Sequence, residues 1–151
     1  MQLTKNFTLE EFTFSDAAYR LGIDNSPGPT ELGNLRKTAA LMEAVRTLLG
    51  NRPVLVHSGF RAPTLNAVIG GSLKSVHTLG LACDFTCNEY GSPYLIATLI
   101  KDSRGRLPDF DQCILEYGWV HLGLPRPYAA ARQQFLTKKS ATADYQEGIV
   151  A

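Results

Sequence analysis

Residues 75–85, SVHTLGLACDF, place one of the chain's three histidines just before an apolar run that contains an aspartate. LACDFTC, residues 81–87, reads as a strand, yet an ionised Asp84 in its interior is costly to bury unless it is paired or bound to a metal. Working outward, PVLVHSG reads as a buried strand and APTLNAVI as a helix stopped by Gly70 and Gly71. SPYLIATLIKD is a helix with Ser92 as N-cap and Pro93 at its first position. QCILE and WVHLGL flank Tyr117-Gly118 as two strands, and RQQFLT is a further strand. Upstream, apolar residues at Leu32, Leu35, Ala39, Met42, Val45 and Leu49 mark a helix over 30–49, closed by Gly50. Thr8 and Glu11 have the spacing of a capping box, and Ser15 caps a short helix ended by Gly22. Helices come mainly first and strands later, which predicts an α+β fold.

The 151 residues suffice for one domain with a proper core, and 44% hydrophobic with 19% charged residues is ordinary for a globular chain. A formal net charge of +1 excludes a strong electrostatic footprint for nucleic acid. KDSRGR and LTKKS are basic only locally and read as solvated loops. Cys83, Cys87 and Cys113 are an odd count, which argues against a closed disulfide framework. Cys83 and Cys113 lie in apolar runs and read as small buried hydrophobes. Neither a signal-peptide segment nor a membrane span is visible, so the expectation is a chain made in a cytoplasm without membrane insertion.

Each histidine taken singly reads as structural. His57, in VLVHSG, reads as a satisfied core residue or as support for a site; His77 precedes the glycine turn HTLG, and His121 shares a strand face with Trp119. Together, His77, Asp84 and His121 would supply the three His or carboxylate ligands of a catalytic zinc site. Spacing alone leaves open a salt-bridged Asp84, or a zinc site built from the three cysteines. The hairpin adds a geometric argument. With Tyr117-Gly118 as a two-residue turn, Ile114 pairs with His121, and Glu116 projects from the same face. That is where a general base beside a metal belongs; otherwise Glu116 is an exposed hairpin end.

SVHTLGLACD resembles the Ser-x-His-x-x-Gly-x-Ala-x-Asp signature of the zinc D-alanyl-D-alanine carboxypeptidase and murein endopeptidase family, matching at Ser75, His77, Gly80, Ala82 and Asp84. SGFRAPTLNAVIGGS is similar to the family's Ser-Gly-Tyr-Arg segment, with Phe60 in place of tyrosine and Arg61 retained. DQCILEYGWVHLGL resembles its final Trp-x-His strand, and NFTLEEFTFSDAAYRLGIDNSP the lead-in of small phage and bacterial members. The resemblance covers about residues 5–137, leaving 138–151 as a polar tail of a single domain, 1–151.

The resemblance implies N-terminal helices packed on a small, mainly antiparallel sheet of the hedgehog and D,D-peptidase type. It implies one Zn²⁺ per chain on His77, Asp84 and His121, with Arg61 near the scissile carbonyl to stabilise the oxyanion. Where many relatives carry an acid three residues before the last histidine, this chain has Gly118; branches that place the group five residues before it point to Glu116 as general base. Ser75, Trp119 and Tyr117 become substrate-binding candidates, with Phe60 as a further wall of the cleft, and Gly80 and Ala82 packing positions. The implied activity is hydrolysis of peptide bonds in bacterial peptidoglycan, as an endolysin-type endopeptidase or a D,D-carboxypeptidase. The protein would be a monomer, made in the host cytoplasm and acting on the cell wall after release. A non-catalytic zinc module that binds peptidoglycan, or a phage virion assembly module on the same fold, is the alternative.

Overall fold

Strict alternation along three neighbouring strands gives one sheet two chemically different faces. The computed structural model describes residues 1–151. Its helices are α1 (Leu9–Thr13), α2 (Asp16–Leu21), α3 (Pro29–Leu48), α4 (Pro63–Val68) and α5 (Pro93–Asp102). Its strands are β1 (Leu55–Ser58), β2 (Ala82–Thr86), β3 (Gln112–Leu115), β4 (Val120–Gly123), β5 (Gln134–Thr137) and β6 (Gln146–Glu147). They form a six-stranded sheet in the order β1-β2-β4-β3-β5-β6. All neighbours are antiparallel except β3 and β5, which run parallel. This is the expected α+β class.

Cys83 and Phe85 of β2, Val120 and Leu122 of β4, and Cys113 and Leu115 of β3 enter the core. There they meet Leu35, Met42 and Val45 of α3 and Ile96 and Ile100 of α5. Each of these Val, Leu, Ile, Phe and Met side chains contributes about 1.5–3 kcal/mol by leaving water. All three cysteines are buried in this core, and burial raises the Cys113 thiol to about 12 and the Cys83 thiol well above its ordinary value. The cysteine-based metal site is thereby excluded: no cysteine joins a cluster of ligand atoms.

Local signals set the helix ends. Thr8 and Glu11 form the reciprocal capping box, Ser15 caps α2, and Gly22 ends it at φ 65°. Ser92 caps α5, with Pro93 at its first position. Three expectations need correction. β1 lies at the sheet edge and is not buried: Leu55 is 58% exposed, because only β2 covers that side. His57, at an irregularity in the β1–β2 register, is exposed and bonds Thr86 Oγ1 at 2.8 Å through Nε2, so it is no core residue. The strand expected from Trp119 onward begins at Val120, since the turn absorbs the tryptophan.

One junction was not legible in the sequence. The Asn25 side chain donates to the carbonyls of Thr13 and Phe60 at 2.8 and 3.1 Å and accepts from the Ala62 amide at 2.7 Å. It clasps the segment carrying Arg61 to the end of α1. Asn25→Ala leaves three backbone groups without this partner, and the expected loss is about 1–3 kcal/mol of stability, measured by urea unfolding. An unchanged midpoint would show that water replaces the clasp without cost.

Candidate metal centre

His77 is placed by a 3-10 turn, Val76–Leu79, that packs on α3. Ser75 caps the turn, its Oγ accepting from the His77 amide at 3.3 Å. From α3, the Asn34 side chain donates to the Leu79 carbonyl and Thr38 Oγ1 to the Gly80 carbonyl, both at 2.8 Å. Gly80 ends the turn at φ 75°, and a Cβ there would stand 2.7 Å from the Glu31 carbonyl oxygen, so only glycine allows the approach. Behind the ring, His77 Nδ1 donates to the Gly59 carbonyl at 2.6 Å. A carbonyl can only accept, so a neutral His77 carries its lone pair on Nε2. Gly59 is itself wedged on α1: a Cβ would lie 2.5 Å from the Phe12 carbonyl oxygen.

Asp84 of β2 and His121 of β4 are direct cross-strand partners, with Ile114 of β3 beyond His121 in the same row. His121 Nδ1 stands 2.8 Å, and His77 Nε2 3.3 Å, from the same oxygen, Asp84 Oδ1. The two rings meet edge to face, centroids 5.2 Å apart. All three residues are buried, and each offers a ligand atom within 4.8 Å of the others. Burial alone would push the Asp84 carboxyl up, but the two rings outweigh it and hold Asp84 well below the usual carboxylate range. Two imidazoles and a buried anion, all aimed inward, fit a divalent cation: it takes nitrogen lone pairs and balances the carboxylate charge.

Glu116 follows β3, and its amide donates to the Trp119 carbonyl at 3.0 Å across the Tyr117-Gly118 turn, as the hairpin reading requires. Its carboxyl is raised above the ordinary glutamate value by burial, with Asp84 adding to the effect against His121, Lys138 and Arg61. Arg61 is depressed by burial while the Asp84 and Glu116 charges counteract it. One Arg61 terminal nitrogen donates to Ser75 Oγ at 3.1 Å, and its buried Nε has no partner in the protein. Tyr117 and Trp119 stack edge to face with centroids 4.7 Å apart.

The sequence-derived candidates Arg61, Ser75, His77, Asp84, Glu116, Tyr117, Trp119 and His121 all line one cavity of about 550 Å³. A second cavity of about 400 Å³, walled by Phe14, Phe60 and Ile69, shares Arg61, Asp84 and Trp119 with the first. The ligand cluster thus sits where two arms of a cleft meet on the sheet face opposite the core. Sequence reasoning missed Lys74, Asp111, Arg126, Arg132 and Tyr145, which also line the larger arm. Tyr145 falls in the stretch read as a polar tail. Here β6 pairs with β5, Thr137 Oγ1 donates to the Gly148 carbonyl, and Lys138 lies 4.4 Å from the Tyr145 ring centre. No local pattern announces a tyrosine carried to the cleft by a two-residue strand.

A family model described as Peptidase M15 matches residues 5–122. Over 90 residues the chain is 31% identical to the Zinc D-Ala-D-Ala carboxypeptidase of Streptomyces albus G; the match covers 57% of this chain and 33% of that relative. The chain therefore matches about a third of the length of this curated relative.

Titrating metal-stripped protein with Zn²⁺ is expected to give one equivalent bound and a higher melting temperature, and Asp84→Ala to abolish both. Gly59→Ala, which keeps every ligand but displaces the carbonyl behind His77, is expected to weaken zinc by about 10- to 100-fold. Calorimetric affinity equal to that of the parent would show that the carbonyl does not orient the ring.

Proposed function

Because the chain belongs to the Peptidase M15 family, we propose that it is a zinc-dependent peptidase of bacterial peptidoglycan, cutting stem peptides or their cross-links. The observation that carries this reading is the meeting of His77, Asp84 and His121 with Glu116 and Arg61 in one cleft. These three ligands hold one zinc ion, which when bound supplies Lewis acidity to water and to the scissile carbonyl. Glu116, on the same sheet face as His121, accepts the proton of the attacking water and returns it to the departing amine. Its raised carboxyl suits both halves of that task, because base and conjugate acid then lie closer in energy at working pH. Arg61, which lines the same cavity and is steadied by Ser75 through a terminal nitrogen, stabilises the oxygen on which negative charge grows. Tyr117 and Trp119 form the wall against which the peptide lies. No helix is long and apolar enough to cross a membrane. In this reading the protein acts as a monomeric endolysin, reaching the cell wall after release from the host cytoplasm.

Mass spectrometry of purified peptidoglycan digested with and without a chelator tests the function and identifies the bond. Chelator-sensitive release of peptides is expected; zinc binding and polymer binding without cleavage would mean the non-catalytic module instead. Glu116→Gln is expected to keep zinc and lower kcat by about 10²- to 10⁴-fold. Arg61→Ala is expected to lower kcat by about 10²- to 10³-fold. In the parent, activity falls as pH drops through the Glu116 pKa, because protonation removes the base. That acid limb lies above the ordinary glutamate value, and its persistence in Glu116→Gln would show that another group is the base.

A further inference from the structure

One arm of the cleft carries positive charge that no acid of this chain neutralises. Lys74, just before the His77 turn, and Arg126, just after β4, line the larger cavity. The two segments are tied together, the Arg126 guanidinium donating to the Lys74 carbonyl. Neither cation forms an ion pair. Arg132, on the same wall, differs: it is held by Asp111 through hydrogen bonds of 2.9 and 2.8 Å. The remaining acids of this cavity, Asp84 and Glu116, belong to the centre itself. The opposite arm is apolar, and its one added carboxylate, Asp16, is paired with Arg20 at 2.8 Å. The two arms thus differ in the charge they accept.

We propose that the arm between Lys74 and Arg126 is a carboxylate subsite, which holds a free carboxylate of the substrate peptide while the scissile bond lies at His77, Asp84 and His121. The inference rests on the peptidase reading. Lys74 brings a compact point charge and Arg126 a planar fork of donors to the lining of the same arm. A carboxylate between them meets two cations with no competing acid. An amide in its place keeps the shape but loses the charge. Lys74 lies within the matched region and Arg126 beyond residue 122, where the family match ends, so one of the two cations comes from a segment outside it.

The test uses two synthetic stem peptides that differ only in carrying free carboxylates or the corresponding carboxamides. In zinc-loaded protein, the double variant K74Q/R126Q is expected to raise KM for the carboxylate peptide roughly ten- to hundredfold, the size of a lost charge-assisted contact. Zinc content, kcat and KM for the carboxamide peptide should stay within about twofold. K74R/R126K, which keeps both charges, should retain the preference. An equal KM change for both peptides, or none for either, overturns the subsite. Should the parent cleave neither peptide, the peptidase reading fails separately, and calorimetric binding decides: weaker binding of the carboxylate peptide to K74Q/R126Q supports the subsite, and equal or undetectable binding to both proteins overturns it.

Discussion

The arrangement depends on one buried anion. Asp84 stands at the centre of β2 with two imidazoles on a single carboxylate oxygen. A charge so placed is costly unless neighbours compensate it, and the fold brings those neighbours from three directions. β4 brings His121 by register, the 3-10 turn brings His77 from α3, and the Gly59 carbonyl fixes which nitrogen His77 presents. Arg61 is drawn into the same network, since its amide donates to the His77 carbonyl at 3.1 Å. Ligand geometry and the position of Arg61 are therefore set by the same few backbone contacts.

What the sequence made legible is what local chemistry determines. The capping box at Thr8, the caps at Ser15 and Ser92, and the left-handed end at Gly22 depend on residues within a turn of each other. The hairpin was readable for the same reason, since its two-residue turn fixes the pairing of Ile114 with His121 and with it the side on which Glu116 emerges. Asp84 could be singled out because it breaks an apolar run. His77 and His121 could be joined to it only as a combination, with the resemblance naming them as a set.

What stayed hidden depends on partners distant in the chain. Whether an apolar strand is central or at an edge is decided by what lies on its far side, so PVLVHSG gave no sign that β1 is half open to water. The parallel pairing of β5 with β3 is likewise a choice of neighbour, made by a strand with the same alternating pattern as any other. Asn25 looked like a loop residue because its three bonds reach backbone groups 12 to 37 positions away. Tyr145 reaches the cleft through a polar segment and Arg126 through one rich in proline and alanine, and neither composition announces a site.

The two-faced sheet has a further meaning for descent. On β2, Cys83 and Phe85 serve the fold while Asp84 between them serves the chemistry, and β4 repeats the scheme with Val120, His121 and Leu122. The side chains that pack the core lie on the opposite face from the ligands, while removing Asp84 would strip two buried imidazoles of their shared carboxylate. Metal binding can therefore be lost by a single codon change while the side chains that build the core remain in place.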